Sequence, residues 1–336
     1  MRKFVKLKPF PKITLITPSF NQGEFLEQTI QSVLDQQYPH LEYMVIDGGS
    51  RDASVRIIRK YEKHLAYWVS EKDAGQSDAI NKGLSRATGQ VVNWLNSDDY
   101  YEPRTLATVA EHFRDPATHV VCGRSRLFTG AGQTAYYSQG TDVYPGNLAK
   151  TIGWARMDQP ETFFSTAAVR RMGPLDTRLH YLMDRDWWIK YLLLFGLEGI
   201  VQIPDVLVNF RLHESSKTVS QKPGFQVEHD TFYYALARRA GLAACAGLIA
   251  DTCSVHPEFV PTGPVPDQSL AEKVLNYYLL FRAGEFYAGS QWEKAKRFLA
   301  GVTASMLEKE DKKLHRQLYL RNTFLPEPVI HFLRKQ

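Results

Sequence analysis

Four short stretches of the chain collect side chains able to handle phosphate and a hard cation. They are Pro18-Ser19-Phe20-Asn21, Asp47-Gly48-Gly49-Ser50-Arg51-Asp52, Glu71 through Asp78, and Asn96-Ser97-Asp98-Asp99. A diphosphate that departs as a leaving group needs its developing charge neutralised, and Mg²⁺ or Mn²⁺ does this. Such cations take carboxylate oxygen. Asp98 is the first candidate ligand; Asp99 either supports it or caps the helix that Pro103 opens. Asp47 can accept from a pyrimidine ring or a ribose hydroxyl, and Gly48-Gly49 lets the backbone come close to a ligand. A tight turn capped by Asp47 is the plainer reading of the same residues.

Each stretch follows a predicted strand. Ile13 to Thr17, Tyr43 to Ile46, Tyr67 to Val69 and Val91 to Leu95 are apolar or β-branched runs. Between them, helical spacing predicts helices over Glu24 to Gln36, after a capping Asp52, over Ser77 to Ala87, and from Pro103 to Phe113. Strands alternating with helices imply a parallel sheet covered on both faces, with ligands beyond the carboxyl ends of the strands. Polar and acidic groups at four consecutive strand ends therefore predict one nucleotide and metal site. Farther on come short strands over Ser125 to Phe128, Gln133 to Ser138 and Val206 to Arg211, and a strong helix from Asp184 to Phe195.

These residues resemble family 2 glycosyltransferases with the GT-A fold. The resemblance rests on Thr17-Pro18-Ser19-Phe20-Asn21, Asp47 through Asp52, Asp78-Ala79-Ile80-Asn81-Lys82-Gly83 and Trp94 through Asp99. It continues through Gln159-Pro160-Glu161-Thr162-Phe163-Phe164, Gly173-Pro174-Leu175-Asp176, Met183-Asp184-Arg185-Asp186-Trp187-Trp188 and Arg211-Leu212-His213, in order, from about Lys12 to Thr218. It implies an α/β fold with a mixed, mainly parallel Rossmann-like sheet flanked by helices, and a C-terminal helical extension. It implies a non-processive, inverting transfer of a sugar from a nucleotide-diphosphate donor to a hydroxyl of a saccharide or lipid-linked saccharide, in surface polysaccharide assembly. Pro18, Ser19, Asn21, Asp47, Gly49, Asp78, Lys82, Asn96 and Ser97 would contact the donor. Asp98 and His213 would hold a divalent metal, Mn²⁺ or Mg²⁺, and Asp184 would be the catalytic base. Gln159, Glu161, Asp186 and Trp187 would line the acceptor side; for Trp187 and Trp188, stacking on a sugar and burial in the helix core are both open. The chain has Asn96 where the family often has an acid, and Met183 where a Glu often precedes the base. The second difference predicts a low pKa for Asp184.

Bulk composition sets the outer limits. The 336 residues, 44% hydrophobic, suffice for one large core and a second module, expected as residues 1–222 and 223–336. A net charge of +5 suits a diphosphate donor or an anionic membrane surface but is too weak to argue for nucleic acid. Three cysteines without a Cys-x-x-Cys argue against a disulfide framework and for a reducing cytosol. No apolar run is long enough to span a membrane. Beyond the prolines 257, 261, 264 and 266, Leu270 to Tyr287 and Trp292 to Leu307 predict a helical hairpin turned at Gly289-Ser290, with a single tetratricopeptide-like signature. The mixed apolar and basic tail, Leu318 to Gln336, is either a packed helix or a peripheral contact with the inner membrane face. A homo-oligomer is also compatible with the sequence. A sugar nucleotidyltransferase would need a Gly-rich, Arg-containing loop after the first strand, which is missing. The remaining alternative is a catalytically inactive GT-A-fold binding or scaffold protein.

Overall fold

The computed structural model describes residues 9–129, 132–154, 156–214 and 216–324. In chain order the elements are β1 (Ile13–Ser19), α1 (Leu26–Leu34), β2 (Leu41–Asp47), α2 (Ser54–Tyr61), β3 (Tyr67–Ser70), α3 (Gln76–Arg86), β4 (Val91–Trp94), β5 (Tyr100–Tyr101), α4 (Thr105–His112), β6 (Val120–Thr129), β7 (Thr134–Tyr137) and α5 (Leu148–Trp154). There follow β8 (Thr162–Ser165), α6 (Thr166–Met172), α7 (Met183–Phe195), β9 (Ile200–Leu212), α8 (Lys217–Ser220), α9 (Lys222–Arg239), α10 (Ala243–Ala250), α11 (Gln268–Ala288), α12 (Trp292–Gly301) and α13 (Lys309–Phe324). The chain forms two units: Met1–Asp142 with Arg156–Lys222, and Val143–Ala155 with Pro223–Gln336. The stretch from Val143 to Ala155, expected inside the first region, is thus part of the second, because α5 packs on α11.

The first unit is built on one mixed sheet in the order β3-β2-β1-β4-β8-β6-β9-β5, with β7 paired to β6. The β3-β2-β1-β4 segment is parallel, and β8 joins β4 and β6 antiparallel. All seven residues of β1 are buried, as expected of a strand covered on both faces. Gly83 lets α3 lie close on the sheet: a Cβ there would come within 2.8 Å of the Ile16 side chain. The register puts Ser19 opposite Asp47 and Asp47 opposite Ser70, so three neighbouring strands end level. Two details differ from the sequence expectations. Asp52 precedes the N-cap residue, Ala53, and its carboxylate accepts from the Ser54 and Gly23 amides, tying the helix start to the loop after β1. Helix α4 starts at Thr105, after Arg104 turns into the left-handed region at φ 68°.

The second unit is helical. Its α11 is buried along most of its length and is followed at Gly289-Ser290 by α12. Inside it, Arg282 makes two hydrogen bonds to Asp230, 2.7 and 2.8 Å, and the Tyr278 hydroxyl donates to the same carboxylate at 2.7 Å. Among the described residues no helix is long and apolar enough to cross a membrane. Of the tail expected to pack or to touch a membrane, residues 325–336 lie outside the described residues.

Candidate functional site

The level strand ends are tied to one another by the loops that follow. Asp47 is fully buried. Its Oδ2 accepts from the amides of Gly49 and Ser50, 3.1 and 2.9 Å, and from the Ser70 hydroxyl at 2.6 Å; its Oδ1 accepts from the Ser50 hydroxyl. The carboxylate is engaged by its own turn and by β3, and in this way it shapes the loop. Gly49 supplies the left-handed φ of 84° that this turn requires. Asn21, also left-handed at φ 52°, accepts from the Arg51 amide at 2.9 Å, and its own amide donates to the Ser50 hydroxyl at 2.7 Å. Pro18 and Ser19 are buried in β1, and among the described residues the Ser19 hydroxyl has no hydrogen-bond partner.

Beyond β4 the backbone around Asp98 is held by two residues, Thr29 and Arg211. The Thr29 hydroxyl of α1 sits 2.9 Å from the Ser97 carbonyl and 2.7 Å from that of Asp99. The Arg211 guanidinium donates to the Asp98 carbonyl at 3.0 Å, and its amide donates to Asp99 at 2.9 Å. With its carbonyl neighbours fixed, the half-buried Asp98 carboxylate lies 3.0 Å from His213 Nε2. Phe25 packs against the His213 ring at 4.9 Å and carries the Arg211 guanidinium on its face at 4.7 Å. Asp99 is buried, and burial, reinforced by the Asp98 charge, pushes its carboxyl well above the carboxylate range. Asn96 accepts from Gln76 at 2.8 Å; Gln76 in turn accepts from Lys217, which also donates to the His180 carbonyl, both at 3.1 Å. This chain of contacts ties the segment leading into α7 to the strand ends, and Asp184 follows His180 by four residues. Sequence reasoning overlooked Gln76, Lys217 and the clamp by Arg211. Gln76 lay inside the Glu71 to Asp78 stretch and Arg211 in the Arg-Leu-His segment, so both had a signal; Lys217 had none.

Asp184 stands in the first turn of α7, half-buried. Burial raises its carboxyl to about 6, although the Arg185 amide donates to Oδ1 at 2.7 Å and favours the charged form. The expectation of a low pKa is therefore overturned: desolvation outweighs the loss of an acidic neighbour. Several other expected contacts are also redirected. Gln159 is buried, donating to Asn93 at 2.9 Å and to the Trp94 carbonyl at 2.8 Å. Glu161 is buried on the Ser125 and Ser138 hydroxyls, and burial, reinforced by the Asp158 charge, lifts it to about 8. Asp186 forms a buried ion pair with Lys190 at 2.7 Å. Trp187 is 1% exposed, packed between Trp94 and Phe164, and Trp188 is fully buried on Tyr191. None of these four acceptor-side residues offers a face to a sugar. Lys82 is paired with Glu71 at 2.9 Å and lies 3.7 Å from Asp78, so its charge is already answered within the β3–α3 loop region.

Residues 14–175 match the family model described as glycosyl transferase family 2. Residues 14–175 belong to that family. This family 2 segment contains the four strand-end stretches, while Asp184 and His213 lie past it. A Bacillus subtilis protein named for teichuronic acid biosynthesis, the glycosyltransferase TuaG, is 35% identical over 138 residues, 40% of this chain and 51% of the relative. Glycosyltransferase GlyA of Streptococcus pneumoniae is 28% identical over 135 residues, 40% of this chain but 19% of the relative. The match thus spans about half the length of TuaG and much less of GlyA. Among solved structures, residues 1–349 of S. aureus TarS superpose with a TM-score of 0.57 at 17% identity, over 93% of this chain and 88% of that one. At that identity the likeness speaks for the GT-A fold alone.

Proposed function

We propose that this chain, through its family 2 segment, is an inverting glycosyltransferase that moves a sugar from a nucleotide-diphosphate donor to a hydroxyl of a saccharide or lipid-linked saccharide. The observation that carries the reading is the Asp98–His213 pair, 3.0 Å apart and pinned through Arg211 and Thr29 beside the level ends of the parallel strands. Among the described residues no group of three or more His, Cys, Asp and Glu is arranged to hold a metal. Two protein ligands are nevertheless what a hard cation needs when substrate phosphates and water fill its other positions. Asp98 and His213 fit that donor set and would hold Mg²⁺ or Mn²⁺. When bound, the cation supplies neutralisation of the diphosphate's developing charge.

The rest is done by the chain. The turn built on Asp47, Gly49 and Asn21 presents backbone to the donor. Asp184, with Oδ1 held by the Arg185 amide, takes the acceptor proton on its other oxygen as the acceptor attacks the anomeric carbon. The bond from that carbon to the diphosphate oxygen breaks in the same displacement, which inverts the centre. A carboxyl at about 6 is suited to this work, being ionised at neutral pH yet basic enough to hold the proton. The TarS complexes with UDP and UDP-GlcNAc, and the naming of TuaG for teichuronic acid, favour a uridine donor and surface polysaccharide as the destination.

The test is a panel of nucleotide-sugars incubated with and without Mn²⁺, following nucleotide diphosphate release and the anomeric proton of the product. Release stimulated by Mn²⁺, lost in Asp98→Ala, with an inverted product, is the expected result. A product that retains the donor's configuration, or Mn²⁺ stimulation undiminished in Asp98→Ala, removes the reading.

A further inference from the structure

We infer that the outer face of α13 docks on a bilayer surface rich in anionic phospholipid. The helix is fixed from its inner side. Asp311 is buried and paired with Lys150 at 2.7 Å, and that ammonium also lies 4.4 Å from the Tyr144 ring centre. Leu318 is buried, His315 bonds to the Leu299 carbonyl at 3.1 Å, and Asn322 donates to the Trp292 carbonyl at 2.9 Å. Anchored along its length, the helix cannot turn its other side inward.

That other side has a chemistry of its own. At about 3.6 residues per turn, Lys309, Lys312, Lys313 and Arg316 fall on one outward stripe, and Leu320 and Phe324 continue it with Tyr319 at its edge. All four cations are exposed. Tyr319 is 39%, Leu320 44% and Phe324 69% exposed, a large apolar area to leave in water. Of the two acids in the first turn, Asp311 faces inward and Glu310 stands at the margin of the stripe. Beside it lies a shallow dent of about 440 Å³, lined by Ala304, Lys312, His315, Arg316, Tyr319 and Leu320. Cations around an apolar floor suit a phosphodiester headgroup above its acyl chains. Cations followed by an aliphatic and aromatic end are the pattern of a helix lying in the membrane interface. A second copy is a poor occupant, since a two-fold contact through this stripe would set cations against cations.

The experiment is co-sedimentation of the full chain with phosphatidylcholine vesicles, with and without phosphatidylserine. Each cation near an anionic surface is worth about fivefold in partitioning, so Lys312→Glu with Arg316→Glu should weaken binding at least about 25-fold. A second variant, Leu320→Ser with Phe324→Ser, leaves the charges in place and should weaken binding about tenfold. Unchanged thermal unfolding shows that each variant is folded, and salt should release the unmodified chain. Tight binding to serine-containing vesicles, lost in both variants and in salt, supports the inference. Equal binding to neutral vesicles, no vesicle binding, or variants that change only the oligomeric state in solution overturns it.

Discussion

Replacing Asp184 with Asn separates two consequences of its position. The first is energetic. The carboxyl rises from an ordinary 3.8 to about 6, with burial as the main cause. Between those values the folded chain binds a proton that the unfolded chain has released, so stability falls as pH rises through the window and stays lower above it. One pKa unit corresponds to about 1.4 kcal/mol, which sets a ceiling of about 3 kcal/mol, and solvent access to a half-buried group brings the expected cost to about 1–3 kcal/mol. Asn has nearly the same shape and no charge. Urea unfolding should therefore show Asp184→Asn more stable than the parent by about 1–3 kcal/mol at pH 7.5, with the difference vanishing near pH 3. The second consequence is chemical. The same variant should lose about 10²–10⁴ in turnover while its donor affinity stays within about twofold. In the parent, kcat/KM should fall on the acid side with an apparent pKa of about 6. A stability gain that is the same at both pH values would show that the carboxyl is not the group desolvated. Undiminished turnover would show that it is not the base.

Further outcomes follow from other sites. Gly49→Ala forces a side chain into φ 84° and should cost about 1–2 kcal/mol, read as a lower unfolding temperature together with weaker nucleotide binding. Trp187→Phe should leave the acceptor KM within about twofold, because the indole is buried; a rise of about tenfold would restore the stacking role rejected above. Arg282→Met strands a buried Asp230 and should destabilise by about 3–5 kcal/mol, whereas Arg282→Met with Asp230→Leu should recover most of that loss in thermal unfolding. Asp98→Asn should raise the Mn²⁺ concentration needed for half-maximal nucleotide diphosphate binding at least about tenfold, measured by calorimetry.

The parallel half of the sheet was legible because its strands are unbroken β-branched and apolar runs followed by polar turns. Helices α3 and α7 were legible from their spacing. The two-residue β5 and the four-residue β8 carry too little pattern, and β8 lies within a motif that drew attention to its chemistry instead. Gln159, Glu161, Asp186 and Trp187 show why site assignment is harder than fold assignment. A polar residue near a motif reads the same whether it meets a substrate or a buried hydroxyl, and only the folded chain decides which groups are desolvated. Asp184 failed in the same way: its neighbours in sequence argued for a low pKa, and burial, invisible in one dimension, reversed the sign. Asp98 and His213 are 115 positions apart, and a family resemblance, not periodicity, paired them.

The excursion of Val143–Ala155 makes the chain pass from one unit to the other three times, after Asp142, after Ala155 and after Lys222. The helical unit is therefore stitched in rather than appended. Trimming the protein at Lys222 would strand α5, whose Ile152 is 1% exposed, whose Ile152 carbonyl accepts from Tyr233, and whose Gly153 lies so close to α11 that a Cβ would come 2.3 Å from the Val274 carbonyl. A shortened expression clone or a natural truncation would carry a bare apolar helix in mid-sequence, so the first unit is not separable by a single cut.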